Sequence, residues 1–339
     1  MMRLMKFVLA AGAAIALTLP ATAQTYKPEY KISTVVGAPF PWGLGAERWA
    51  AIVKEKSGGK INMKVYPGAS LVGGDQTKEF TAMRQGVIDM AVGSTINWSP
   101  QVVELNLFSL PFLMPDFKAI DALTQGDTGK KLFEIVGSKD VVPLAWGENG
   151  FRELTNSKKD VRTPEDLKGL KIRVVGSPLF NETFTALGAN PTQMSWADAQ
   201  PALSTGAVDG QENPLTIFTV AKLHTVGQKH VTLWGYVADP LIFAVSKTVW
   251  DSFSPADQKM MREAAVEAAK YNVEIARKGI TDADPATLKD IEGLGVKITK
   301  LSDAEKKVFQ TATKGVYDKW KGRIGADLVS GAEKAVAGR

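Results

Sequence analysis

Short strand-like and helix-like segments alternate from residue 31 to residue 146, and most are closed by glycine or by a proline–glycine pair. Lys31–Val36 is β-branched and stops at Gly37. Trp42 to Lys56 places Leu44, Trp49, Ile52 and Val53 at helical spacing and stops at Gly58-Gly59. Ile61–Tyr66 alternates and ends at Pro67-Gly68, Lys78–Arg84 is helical again, and Ile88–Val92 is a short apolar strand before Gly93. Strands separated by helices over such distances imply βαβ units and a mainly parallel sheet. Val141–Trp146 reads as a further strand buried on both faces.

After Gly150 the pattern restarts. Thr163-Pro-Glu-Asp166 has the form of a helix start, with an N-cap threonine, proline at the first position and acids in the first turn. Leu170–Val175 is a strand, Pro178–Leu187 and Asp198–Ser204 are helices closed by Gly188 and Gly206, and Asp239–Val245 is a strand. Ser254-Pro-Ala-Asp257 opens a long helix reaching about Lys278, and Ser302-Asp-Ala-Glu305 is a capping box before the last helices. No repeat or low-complexity linker interrupts this, so the restart near residue 150 marks a stiff boundary. A core seldom grows past about 250–300 residues before dividing, and 339 residues fit two α/β lobes.

With 45% apolar and 23% charged residues, the chain is neither disordered nor collagenous. It has no cysteine, which excludes thiol catalysis, iron–sulfur clusters, cysteine zinc sites and a disulfide scaffold. One stretch approaches membrane character. Arg3 and Lys6 precede Phe7–Leu19, 13 residues without charge, then Pro20 and Ala21-Thr-Ala23. That order is a secretory signal peptide over residues 1–23, too short to span a bilayer of about 30 Å. Removing it lowers the formal charge from +5 to +3, since Arg3 and Lys6 leave with it. The remaining charge is mixed in sign, without the basic clustering that nucleic acid demands.

Catalytic motifs are missing. There is no G-x-S-x-G, Walker A, H-E-x-x-H, G-x-G-x-x-G or EF-hand loop. The two histidines, His224 and His230, do not share a helix face, which leaves them as surface or core residues. Three polar features stand where an α/β protein keeps ligand groups. Arg173 interrupts the apolar run Ile172-Arg-Val-Val175 near the carboxyl end of its strand, where open sheets bind ligands. A covered arginine there needs a partner, either an internal carboxylate or an anionic ligand. Arg152 follows Asn149-Gly-Phe151 at the restart, as a loop arginine or a second ligand contact. Asn213 lies in Gly210-Gln-Glu-Asn-Pro214, a plain turn or a source of donors and acceptors. Near these loops cluster Trp42, Trp98, Trp146, Trp196 and Tyr236, each able to serve core or ligand.

Asn149-Gly-Phe-Arg152-Glu-Leu-Thr-Asn156, Asp166-Leu-Lys-Gly-Leu-Lys-Ile-Arg173-Val, Gly188-Ala-Asn-Pro-Thr-Gln-Met-Ser-Trp196 and Gly206-Ala-Val-Asp-Gly-Gln-Glu-Asn-Pro214 resemble the DctP-type solute-binding proteins of TRAP (tripartite ATP-independent periplasmic) transporters. Tyr66-Pro67, Leu71-x-Gly-Gly-Asp75, Gly86-Val-Ile-Asp-Met90, Leu110-Pro-Phe-Leu113 and Asp239-Pro-Leu241 extend the likeness over nearly the whole chain. The resemblance implies an α/β, two-lobed Venus-flytrap fold with mixed, mainly parallel sheets and a long bracing helix. Residues 24–150 with 239–278 would form one lobe, and 151–238 with 279–339 the other with the C-terminal helices.

It also implies that Arg173 pairs with a ligand carboxylate, Arg152 assists, Asn213 donates from the facing edge and Trp196 packs beside them. On the first lobe the candidates are Gln76, Ser94, Asn97, Phe40 and Trp42. With Trp98, Trp196 and Tyr236, the large apolar surface of Phe40 and Trp42 weighs against a polyhydroxylated ligand and for a monocarboxylate with an apolar or aromatic tail and a 2-oxo or 2-hydroxy group. A C4-dicarboxylate or sugar acid, served by Gln76, Ser94 and Asn97, is the alternative. The implied protein is a periplasmic monomer that works with one small and one large membrane subunit, without cofactor, metal, nucleic acid or catalysis. Its rivals are a binding protein for another kind of permease and a secreted α/β hydrolase or isomerase.

Overall fold

The computed structural model describes residues 25–281 and 283–339, so the signal-peptide reading of residues 1–23 lies outside the described residues. In chain order the strands are β1 (Tyr30–Ser33), β2 (Met63–Tyr66), β3 (Met90–Ser94), β4 (Val141–Phe151), β5 (Glu153–Asn156), β6 (Lys171–Val174), β7 (Asn190–Gln193), β8 (Gly210–Asn213), β9 (His230–Leu233), β10 (Ala238–Ser246) and β11 (Lys297–Lys300). They form two sheets, ordered β2-β1-β3-β10-β4 and β11-β9-β5-β8-β6-β7. Both are mixed. β1 runs parallel to β2 and β3, and β6 to β7 and β8, whereas β10 is antiparallel to β3 and β4, and β5 to β8 and β9.

The chain passes between the sheets three times, from β4 to β5, from β9 to β10 and, after the long helix, from β10 to β11. β4 leaves the first sheet at Phe151, and after Arg152 the backbone enters the second as β5. β9 returns through residues 234–237 to β10, which pairs Ala238 with Phe151 and Asp239 with Gly150. Arg152 and Asp239 therefore meet at the crossing because of topology, although they are far apart in sequence.

Local signals explain the element ends. Pro41 opens the helix Pro41–Lys56, whose Trp42, Ala46, Trp49, Ile52 and Val53 face the core while Lys54 and Lys56 sit in its last turn. A Cβ on Gly43 would fall 2.1 Å from the Gly37 carbonyl carbon, so only glycine lets this helix start press against the loop after β1. The Thr163 signal gives one 3-10 turn, Pro164–Leu167, rather than a helix, because Gly169 turns at φ 76° and β6 begins at Lys171.

The long helix Pro255–Arg277 is capped by Ser254 and buries a stripe of alanines against the first helix and β4. Asn272 on this helix accepts from the Glu148 amide (2.8 Å) and donates to the Pro41 carbonyl (3.0 Å). At its end Arg277 pairs with both Glu148 and Asp121. The crossing strand is thus braced along its length. Ser302 and Glu305 form the expected capping box for the helix Asp303–Ile324. The last helix, Ala326–Ala337, packs on helices Phe117–Gln125 and Asp127–Gly137 of the first half, not only on the second. We propose the two-lobe division at the boundaries given above, with the C-terminal helices clamping both halves. No described helix is long and apolar enough to cross a membrane.

Candidate functional site

β6 carries Arg173 into the sheet between β7 and β8, with only 1% of its surface exposed. Its Nε and Nη2 donate to the Met194 carbonyl (3.1 and 2.9 Å), which leaves Nη1 and the second Nη2 hydrogen as unused donors. The Trp196 ring lies 5.8 Å from the guanidinium carbon. Among the described residues no carboxylate forms a salt bridge with it. Burial pushes its pKa down to about 10; Glu212 opposes the fall and the neighbouring Arg152 charge adds to it. A buried cation without a counter-ion is costly, by several kcal/mol.

Arg152 is also buried, but its charge is matched within the protein. Its Nε and Nη2 grip the Glu212 carboxylate as a fork, Nη2 also donates to the Glu212 carbonyl (2.7 Å), and Nη1 reaches Asp239 (3.2 Å). Burial alone would lower its pKa; Glu212 and Asp239 more than reverse that and hold it above its ordinary value. Tyr236 donates to Glu212 (2.8 Å), while Asn149 (2.8 Å) and Ser94 (2.5 Å) donate to Asp239. Burial nonetheless pushes the Asp239 carboxyl up, with Arg152 opposing.

These groups surround a small, partly open cavity with about 320 Å³ of empty space, open solvent included. Arg173, Arg152, Asn213, Trp196, Trp42, Gln76 and Asn97, all read from sequence, line it together. Gln76 spans the two halves, donating to Asn97 (3.1 Å) and accepting from the Trp196 amide (2.8 Å). Val35, Val36, Val175, Ile217, Asn149 and Asp239 complete the lining and were not expected there. Asn149 and Asp239 were visible only as parts of longer motifs, and the aliphatic residues carried no polar signal. A wider groove of about 930 Å³, including open solvent, lies behind the crossing between Phe117, Phe151 and Ile280. It lacks a buried unpaired cation, so the cavity at Arg173 is the candidate site. Among the described residues no cluster of acidic or histidine side chains is arranged to hold a metal.

Phe40, Ser94 and Tyr236 lie off the cavity. Phe40 is the residue before the first helix and packs on the core of the first sheet. Ser94 caps the short helix Thr95–Trp98 and spends its hydroxyl on Asp239. Tyr236 is buried among Trp234, Phe180 and Phe184, behind the Glu212 carboxylate to which it donates. Trp146 stacks on Phe133 at 4.5 Å, and Trp98 is fully buried against Phe80. Indole and phenyl groups fill cores as readily as clefts, so spacing could not separate the two fates.

Trp98 donates to Glu79 (3.0 Å), and Ser33 donates to the same carboxyl (2.6 Å). Burial pushes the Glu79 pKa up from 4.5 to about 7, against the pull of those two bonds. An acid with a raised folded-state pKa lends stability that is present below 4.5 and lost as pH climbs through 7. Glu79→Gln keeps one acceptor for Trp98, and the Ser33 hydroxyl can rotate to accept from the amide. The stability gap, variant minus parent, is expected to grow from near zero at pH 5 to about 2–3 kcal/mol at pH 8. Urea unfolding across that range measures it, and a gap independent of pH would contradict it.

The sequence matches the family model DctP, bacterial extracellular solute-binding protein, family 7, over residues 32–323. It is 30% identical over 333 residues to the C4-dicarboxylate-binding periplasmic protein DctP of Rhodobacter capsulatus, covering 97% of this chain and 96% of that one. The structure is similar to a TRAP periplasmic solute-binding protein from Ralstonia eutropha H16 with bound (S)-2-hydroxy-2-methyl-3-oxobutanoate, at 65% identity and TM-score 0.92, covering 93% of this chain and 100% of that one. It is also similar to the sugar acid binding protein from Advenella mimigardefordensis in complex with galactonate, at 28% identity and TM-score 0.85, covering 91% and 97%.

Proposed function

We propose, for a chain that belongs to the DctP family of bacterial extracellular solute-binding proteins, capture of a small monocarboxylate bearing a 2-hydroxy or 2-oxo group and a short branched alkyl tail. One observation carries this reading: Arg173 is a buried guanidinium with unused donors and no protein carboxylate. A ligand carboxylate completes it, and charge-assisted bonds in such a site contribute about 1.5–3 kcal/mol each.

Charge count favours a monoanion. Arg152 alone holds both carboxylates, Glu212 and Asp239, so Arg173 is the single guanidinium of the pair left to meet an anion. A dianion would bring a second negative charge that no free cation meets. Size and lining favour a short tail. Of the aromatic candidates only Trp42 and Trp196 reach the cavity, and aliphatic side chains supply the remaining apolar wall. An aryl tail therefore gives way to an alkyl one. The relative of 65% identity holds a branched 2-hydroxy-3-oxo acid, which agrees with that choice.

Bonds to both halves stabilise the closed form selectively, so ligand shifts the open–closed population. In this reading a small and a large membrane subunit recognise the loaded shape and supply the energy for uptake. The chain acts as a periplasmic monomer after losing its signal peptide, without catalysis or cofactor. Titration calorimetry with (S)-2-hydroxy-2-methyl-3-oxobutanoate, phenylpyruvate, succinate and galactonate tests the substrate. The branched hydroxy-oxo acid is expected to bind at least about tenfold tighter than the other three, a margin of about 1.4 kcal/mol. Tighter succinate would favour the C4-dicarboxylate reading, and binding restricted to neutral sugars or amines would sink both.

A further inference from the structure

We propose that Val36 and Ile217 select alkyl over hydroxyl substituents on the bound acid, an inference that rests on Arg173 as the carboxylate site. The two residues come from opposite halves. Val36 follows β1, whereas Ile217 lies on the helix Leu215–Val220 after β8. Ile217 is buried nonetheless, within the apolar cluster of the first half that contains Val35, Val36 and Trp42. One contact between the halves is therefore also a wall of the cavity.

The side chains of Val36 and Ile217 offer only carbon. The Trp42 indole N–H already donates to the Val92 carbonyl at 2.6 Å. The nearby amides are partly committed as well: Gln76 to Asn97 and to the Trp196 amide, Asn149 to Asp239, and Asn213 to Gln211. A methyl group entering this corner leaves water for apolar contact. A hydroxyl in its place gives up water without a matched partner. Discrimination of this kind spans roughly 10- to 200-fold per group.

(S)-2-Hydroxy-2-methyl-3-oxobutanoate and D-erythronate test this, because they have the same number of non-hydrogen atoms and one carboxylate each. The unsubstituted protein is expected to prefer the branched acid by about tenfold or more. Val36→Thr keeps the side-chain shape and exchanges a methyl for a hydroxyl, and Ile217→Thr, compared with the equally shortened Ile217→Val, makes the same exchange at residue 217. Each should reduce the preference by about tenfold, and the double variant should bring the two dissociation constants close together. Ile217→Val, which removes a methylene without adding polarity, should lower the preference for the branched acid much less than Ile217→Thr does. Circular dichroism and thermal melts establish that each variant is folded. Threonine variants in which both constants move in parallel, or folded variants that bind neither acid, would assign these residues to closure alone and overturn the proposal. An unsubstituted protein that binds neither acid would overturn the carboxylate reading of Arg173, and this inference with it.

Discussion

Arg173→Ala is expected to abolish ligand capture while leaving the protein as stable as before, or slightly more so. Truncating one partner of a buried charge pair costs about 2–5 kcal/mol, which corresponds to roughly 30- to several-thousand-fold in affinity. The same change relieves the free protein of a buried cation that Met194 satisfies only in part. Arg173→Lys should recover little binding, because an ammonium lacks the planar fork that matches a carboxylate. Calorimetry and thermal unfolding on the same samples check both halves of the expectation. A melt well below that of the parent, with binding retained in the folded fraction, would make Arg173 a structural residue and remove the basis of the proposed function.

The strand and helix grammar was legible because it rests on local chemistry. Gly58-Gly59, Ser254-Pro255 and the Ser302–Glu305 box end or begin elements through backbone conformation and capping that act within a few residues. Arg173 was legible for a related reason, since a charge inside Ile172-Arg-Val-Val175 contradicts its surroundings. Its two possible partners, internal carboxylate or ligand, could be told apart only by tertiary structure. The difference from Arg152 was hidden, because Glu212 and Asp239 reach that guanidinium through β8 and β10 rather than through sequence proximity. Ser94 illustrates the converse. It precedes a short helix and can cap it or face the cleft, and capping with Asp239 as acceptor uses the hydroxyl up. Val36 and Ile217 gave no signal because valine and isoleucine are ordinary at buried positions.

Arg152→Ala, the same chemical change at the crossing, should have the opposite signature: a folded state destabilised by about 3–5 kcal/mol. The substitution strips Glu212 and Asp239 of their shared cation inside a dry crossing, where water cannot replace it. Uncompensated buried carboxylates hold protons more tightly than in the unfolded chain. Their contribution to stability is present at low pH and is lost as pH rises, so the deficit of the variant should shrink toward pH 5 and widen toward pH 8. Arg152→Met combined with Glu212→Gln removes one charge of each sign and should regain part of the stability without restoring binding. Denaturant unfolding of Arg152→Met, Glu212→Gln and their combination, beside Arg152→Ala, at both pH values supplies the cycle. If Arg152→Ala melts where Arg173→Ala melts, the crossing does not depend on its ion pairs, and the distinction between a paired arginine and a receptive one fails.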